Sequence, residues 1–233
     1  MSFVFNHHTA ATGPFRAFLQ EHGTKITYNR GDTIVAPGDT NANVYYIEHG
    51  FVKVYSQTGR NEQYVHVIYG PSEIFPLALL TNPLPPTVHY AAFTDCKLTR
   101  IPQAAVTAVM RTNIDLTREF AERAITQFRL YSARLDNLQY KFARERLVYR
   151  LLFLVGRFGK KQADGSYVIE APMTQQLIGD SINLSRESVS REFDRLRSLG
   201  LIGYQDQSLV VYDWKKLSQE FKEPVHAEWW GLE

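Results

Sequence analysis

The sequence predicts an α+β chain. It combines a β-rich N-terminal part, one long amphipathic helix, and a C-terminal helix-turn-helix carrying a wing. Three observations predict this. Short apolar runs broken by glycine and proline turns fill residues 26–102, a seven-residue apolar repeat runs through residues 113–138, and residues 174–202 read as two short helices around a turn.

The strands come first. Thr33-Ile34-Val35, Val44 to Ile47, Phe51 to Tyr55 and Tyr64 to Tyr69 are rich in β-branched and aromatic residues. Arg30-Gly31-Asp32, Pro37-Gly38-Asp39, His49-Gly50 and Thr58-Gly59-Arg60 separate them. Such spacing predicts a sandwich or barrel. The long helix spans about Asn113 to Asn137. Ile114, Ala121, Phe128 and Leu135 occupy one heptad position, and Thr117, Ala124, Tyr131 and Leu138 the other. A 3.5-residue repeat favours helix pairing, although the same stripe could pack on the chain's own strands. A hinge at Gln139 to Lys141 and a second helix, Phe142 to Phe158, follow.

The segment Thr174 to Ile202, TQQLIGDSINLSRESVSREFDRLRSLGLI, carries the chemistry. On a wheel of ~100° per residue, Val189, Phe193, Leu196 and Leu199 share a packing side. Glu187, Ser190, Arg191 and Asp194 face the other way, with Arg186 at the flank. Ser185 is placed to cap the helix, and Ser188 stands where Glu or Gln would complete a capping box. Arginine donates a forked hydrogen bond to the guanine edge, glutamate accepts from the cytosine amine, and serine serves either role. Arg186, Glu187, Ser190 and Arg191 are therefore candidate base-reading residues. Thr174, Gln175 and Gln176, at the start of the preceding helix, and Ser185 are candidates for holding phosphates. The competing reading of Glu187 and Arg191, spaced i, i+4, is an ordinary exposed salt bridge. Gly203 to Tyr212 reads as a hairpin wing.

Composition narrows the classes. The 233 residues are 44% hydrophobic, enough for a core, and 26 basic against 24 acidic residues leave a net charge of +2. Basicity is local instead, in Lys141, Arg144, Arg146, Arg150, Arg157, Lys160 and Lys161. Such a run is usually a solvated helix face. The single cysteine, Cys96, precludes an internal disulfide or a four-cysteine cluster within one chain. The apolar helix from Leu147 to Val155 is too short to span a bilayer, and no charged leader precedes it. A cytoplasmic protein is expected, with no membrane partner. No HExxH, GxSxG, Walker loop or CxxC is present, so no enzyme, no catalytic residues and no metal site are expected. His7-His8 makes a poor metal site alone.

Gly31-Asp32, Pro37-Gly38-Asp39, Val44 to Ile47, Gly50 and Val52-Lys53-Val54, followed by Ser185-Arg186-Glu187-Ser188-Val189-Ser190-Arg191, occur in the order seen in the Crp/Fnr family. The chain resembles that family of bacterial transcription regulators over residues 15–213. The resemblance implies a cyclic-nucleotide-binding-like β-roll (1–112), a dimerisation helix (113–138) and a winged helix-turn-helix with a C-terminal tail (139–233). It implies a homodimer on a palindromic double-stranded DNA site. Its interface would use Ile114, Ala121, Ala124, Phe128, Tyr131, Leu135 and Leu138. RNA polymerase is the further partner implied. Ser190 before Arg191 is typical of the Fnr-like branch.

The resemblance also defines a departure. Cyclic-nucleotide binders of this fold place a glutamate on the ribose and an arginine on the phosphate. Leu77 and Pro86 stand at those places here, and Pro76 removes an amide donor. Cyclic AMP and cyclic GMP are therefore not expected as ligands. The remaining lining, Phe75, Leu77, Leu79, Leu80 and Thr87, with Tyr131 and Ser132 on the long helix, reads either as a filled core or as an effector pocket. Such a pocket would take an apolar or planar ligand, haem included. His66, His89 and Cys96 are the candidate iron ligands in that case, each also readable as structural. No cofactor is expected. The alternative function is a sensor of an apolar ligand or haem that acts through protein partners.

Overall fold

The computed structural model describes Ala11 and residues 13–59, 62–80 and 85–221, apart from the side chains of Leu79 and Leu80. His7-His8 and the aromatic tail at 228–231 lie outside the described residues. One compact unit runs through Phe128 and a second starts at Arg129.

The first unit is a two-sheet roll with helices on one side. Helix α1 (Gly13–His22) precedes β1 (Thr24–Tyr28), β2 (Thr33–Val35), β3 (Asn43–His49), β4 (Val52–Gln57), β5 (Gln63–Tyr69) and β6 (Ile74–Phe75). A short 3-10 turn (Leu77–Leu80), β7 (His89–Ala92), β8 (Cys96–Pro102) and α2 (Gln103–Thr112) follow. One antiparallel sheet has the order β1-β8-β3-β6 and the other β2-β7-β4-β5. The strands expected at 33–35, 44–47, 51–55 and 64–69 form within a residue or two of those bounds. Gly50 turns β3 into β4 with φ +90°, and a Cβ there would lie 2.3 Å from the Asp95 carbonyl oxygen. Only glycine meets both demands.

Strand β3 buries Val44, Tyr45, Tyr46 and Ile47 in succession. An unbroken apolar run fits a strand covered on both faces. On one side, Val44 and Tyr46 join Phe15, Phe18, Leu19, Val106, Leu116 and Phe120 from the helices. On the other, Tyr45 stacks on Phe75 at 5.4 Å. Phe75 also stacks on Tyr90 at 5.3 Å and on Tyr69 at 6.0 Å. Tyr45 and Phe75 belong to one sheet and Tyr69 and Tyr90 to the other, so Phe75 bonds the two sheets by ring contact. Offset aromatic pairs add to the burial of their large apolar area.

Helix α3 (Ile114–Gln139) is two-faced. Leu116, Phe120, Arg123, Gln127, Leu130, Ala133 and Asn137 are buried, each three or four residues from the next. The heptad stripe lies elsewhere. Ile114, Phe128 and Leu135 are 75%, 71% and 61% exposed, and Ala121 and Ala124 are exposed with them. Thr117, Tyr131 and Leu138 are half-buried. The stripe that could have packed on the chain's own strands therefore does not; a parallel stripe does. Within the first unit, Arg123 anchors α3 to the roll through the Ser72 carbonyl at 2.6 Å and to Glu119 at 2.6 Å. The Gln127 side chain receives the Tyr69 hydroxyl at 3.1 Å and donates to the Ile74 carbonyl.

The second unit continues with α4 (Ala143–Phe158), β9 (Gly159–Lys161), β10 (Tyr167–Ile169), α5 (Gln175–Ile182) and α6 (Arg186–Ser198). It closes with β11 (Ile202–Gln205), β12 (Ser208–Val211) and α7 (Trp214–Gln219). The hairpin β11–β12 is part of a four-stranded sheet in the order β11-β12-β10-β9. The two extra strands were not expected, because three-residue strands leave too short a pattern to read. No helix among the described residues is long and apolar enough to cross a membrane.

Truncating Phe75 removes the ring that both sheets share. Phe75→Ala is expected to lower stability by about 3–5 kcal/mol, measured by urea denaturation. A loss below about 1 kcal/mol would show that the sheets do not depend on this stack.

Candidate nucleic-acid interface

Helix α5 begins at Thr174, whose hydroxyl accepts from the Leu177 amide at 3.1 Å. It ends at Asn183, which adopts the left-handed conformation with φ 53° and ψ 49°. Asparagine tolerates that region better than most residues. Helix α6 then starts at Ser185, whose hydroxyl accepts from the Ser188 amide at 3.2 Å and donates to the Ser188 hydroxyl at 3.1 Å. Ser188 thus partners the cap with a hydroxyl where a capping box would use a carboxylate.

Gly179 sets the closeness of the two helices. A Cβ on it would lie 2.6 Å from the Leu184 carbonyl oxygen and 3.5 Å from Val189 Cγ2. Sequence reading passed over this residue, although a glycine three residues before the turn in an otherwise helical run was its signal. Arg146, which the sequence shows only as one of a basic run, is a second support. From α4 it donates to the carbonyls of Tyr140 at 2.7 Å, Ile182 at 3.4 Å and Asn183 at 3.4 Å. A third is Tyr204 on the wing, which stacks on Phe193 at 5.8 Å and donates its hydroxyl to the Met173 carbonyl at 3.1 Å.

Val189, Phe193 and Leu196 are buried, as the wheel predicts. Leu199 is not: it is 51% exposed. It sits one residue beyond the helix, where Gly200 turns left-handed with φ 68°, so the wheel no longer sets its direction.

The opposite face carries two kinds of charge. Toward the end of α6 every charge has a partner. Arg195 holds Glu220 at 2.5 Å and Glu192 at 3.3 Å, Arg144 reaches Glu192 at 3.5 Å, and Arg197 pairs with Asp194 at 2.8 Å. Burial opposes the charge on Arg195, but its bonds to Glu220 and Glu192 outweigh it and hold the guanidinium more firmly protonated. In the first two turns the situation reverses. Arg186, Glu187 and Arg191 are exposed. Among the described residues, none of the three side chains has a hydrogen bond or ion pair. The i, i+4 salt bridge between Glu187 and Arg191 is therefore not formed. Ser190 is half-buried beside them.

On α5, Gln175 is half-buried and Gln176 donates to Asp180 at 2.7 Å. The Gln176 amide is thus engaged within its own helix. The basic run is not one solvated face either. Arg150 and Arg157 are buried, and Arg144 and Arg146 make the contacts above. Lys160 and Lys161 lie on β9, after α4 has ended.

Of the residues named for an effector pocket, those described in the roll have different surroundings. Phe75 belongs to the inter-sheet ring stack, Leu77 packs against the helical cluster around Phe15, and Thr87 is exposed. Tyr131 and Ser132 are half-buried in the second unit, and the Leu79 and Leu80 side chains lie outside the described residues. Leu77 lies not in the sheet but in the 3-10 turn after β6, which carries it to the helical side, away from Phe75. Cys96 donates its thiol to the Phe51 and Thr94 carbonyls, both at 3.2 Å, and burial pushes the thiol pKa up. His89 stacks on Tyr55 at 4.9 Å. Among the described residues no three His, Cys, Asp or Glu side chains cluster as metal ligands would.

Comparison with known proteins agrees with this geometry. Residues 25–113 match the family model for a cyclic nucleotide-binding domain, and residues 145–220 that for a Crp-like helix-turn-helix domain. A global nitrogen regulator from Nostoc sp. is 27% identical over 213 residues, covering 91% of this chain and 92% of the relative. A CRP-like cAMP-activated global transcriptional regulator from Mycobacterium tuberculosis is 22% identical, covering 87% and 90%. The solved structure of FixK2 from Bradyrhizobium japonicum superposes with a TM-score of 0.74 at 19% identity, covering 87% of this chain and 99% of that one.

Adding a methyl at the closest helix approach should open the motif. Gly179→Ala is expected to cost about 1–3 kcal/mol by overpacking and to weaken DNA binding at least tenfold in a mobility-shift assay. Wild-type affinity in that variant would show that the close approach is dispensable. A β-roll unit followed by a tightly turned helix-turn-helix with a wing, matched in both halves and in that order, places this chain in the Crp/Fnr family of DNA-binding transcription regulators.

Proposed function

We propose that this regulator binds a palindromic site as a homodimer, reading bases with Arg186, Glu187, Ser190 and Arg191 of each subunit. One observation carries the reading: the charges in the first two turns of α6 stand exposed and unengaged among the described residues, while those in its last turns are paired. Leaving long charged side chains unpaired suits groups that trade water for base edges. The N-terminal end of a recognition helix is the part that goes deepest into the major groove. Thr174, Gln175 and Gln176 at the start of α5, and Ser185 at the start of α6, set the register through phosphates. Gln176 must leave Asp180 to do so, which makes Gln175 and Thr174 the stronger positioning candidates.

The exposed stripe Ile114, Ala121, Ala124, Phe128 and Leu135, flanked by the half-buried Tyr131 and Leu138, supports pairing with a second copy through α3. RNA polymerase is the partner through which such a dimer would act on transcription. In the roll, an apolar Leu77 and an imino acid, Pro86, replace the carboxylate and guanidinium that a cyclic nucleotide needs. A ring stack seals Phe75 from the interior side. A cyclic nucleotide would lose its charged hydrogen bonds with no replacement, so the roll serves as a scaffold that does not take cyclic AMP or cyclic GMP.

Selection of bound duplexes from a random pool tests base reading. Arg191→Ala should cost about 1–3 kcal/mol of specific affinity and relax preference at one position of each half-site. Gln175→Ala should weaken all sequences by a similar factor. An unchanged sequence preference in Arg191→Ala contradicts the assigned role. Pairing is tested by sedimentation: Phe128→Glu and Leu135→Glu together should convert a dimer to a monomer at micromolar concentration. A wild-type chain that sediments as a monomer contradicts the pairing.

A further inference from the structure

Among the described residues, Arg150 is a buried charge without a counter-charge. It lies on α4, only 7% exposed. Its Nε has no hydrogen-bond partner, and its guanidinium sits 4.9 Å over the Phe153 ring. Burial, then Arg134 and Arg157, push its pKa down to about 9, so at neutral pH it is still a cation. Burial lowers that of Arg134 as well. An isolated buried cation is costly unless something compensates it.

A part-open cleft lies beside it, lined by Arg134 and Asn137 of α3, Tyr149, Arg150 and Phe153 of α4, and Ser181 of α5. Its enclosed space is about 10 Å³, room for one water-sized atom. Asn137 is 3% exposed. Its Nδ2 is held by the Arg146 carbonyl at 2.8 Å, which fixes the amide's orientation and leaves Oδ1 buried with no donor. The cleft therefore offers one unused donor, one unused acceptor and the buried charge of Arg150. A water would satisfy the first two and leave the charge. A halide would answer the charge and leave the acceptor.

We propose that this cleft binds a compact oxyanion that carries a proton, of the bicarbonate or hydrogen-phosphate kind. Its hydroxyl oxygen takes the enclosed space, accepting from Arg150 and donating to Asn137 Oδ1. Its charged oxygens face the mouth beside Arg134. The site is separate from the β-roll and does not depend on how α6 reads DNA. It joins the end of α3 to α4 and α5, and Arg146 carries it onward to the Ile182 and Asn183 carbonyls of the helix-turn-helix turn. An occupant there braces the long helix against the DNA-binding motif.

Thermal unfolding and titration calorimetry of the full chain, at fixed pH and ionic strength, test this with bicarbonate, phosphate, chloride and gluconate. Bicarbonate or phosphate should raise Tm by about 3 °C or more with saturable heat of binding. Chloride and gluconate should not. Arg150→Met and Arg134→Gln should each abolish the response, and if Arg150→Met does not fold, Arg134→Gln decides. Response to bicarbonate alone or to phosphate alone identifies the source and upholds the site. Equal Tm in all four salts, a chloride effect as large as that of the oxyanions, or a response surviving in the variants overturns it.

Discussion

The contact on which the second unit depends is the close approach of α5 and α6 at Gly179. With no side chain there, the Leu184 carbonyl and Val189 come in directly, and the left-handed Asn183 reverses the chain without a longer loop. That approach fixes the rotation of α6. Val189, Phe193 and Leu196 must then face inward, and burying three such side chains contributes on the order of 1.5–3 kcal/mol each. Once they are committed, Arg186, Glu187 and Arg191 have nowhere to point but outward. The functional face is thus the remainder of a packing decision made on the other side of the helix.

The supports around that helix follow the same logic. Arg146 takes up two carbonyls at the end of α5, the kind of orphaned acceptor every helix terminus presents. The wing contributes through Tyr204, which covers Phe193 with its ring and reaches Met173 with its hydroxyl. Glu192 and Glu220 draw Arg195 and Arg144 toward the body of the unit, keeping those cations away from the start of α6. In α3 a similar division applies. One stripe is spent within its own units, and a second, apolar and exposed, is kept in register by the same seven-residue period.

Much of this was legible in the sequence. The inward face of α6, the caps at Thr174 and Ser185, the four named strands and both long helices follow from periodicity, β-branching and capping chemistry, which are local. Leu199 was misplaced because a helical wheel does not know where the helix stops. Phe75 and Leu77, two residues apart, would share a face had the strand continued; they pack in different cores because β6 stops at Phe75 and a 3-10 turn follows. The basic run looked like one surface until α4 buried Arg150 and Arg157. The packing of Gly179 and the anchoring role of Arg146, which the sequence shows only as one of a basic run, depend on partners, a carbonyl across a turn and the end of another helix, that exist only in three dimensions.

If the unengaged start of α6 meets bases, it does so twice, in the major groove. Methylation interference at guanine N7 on a selected duplex measures this directly, because the added methyl occupies the groove edge that arginine would read. Interference is expected at guanines in two half-sites centred about 34 Å, one helical turn, apart. Interference absent from both, or confined to a single half-site, would contradict it.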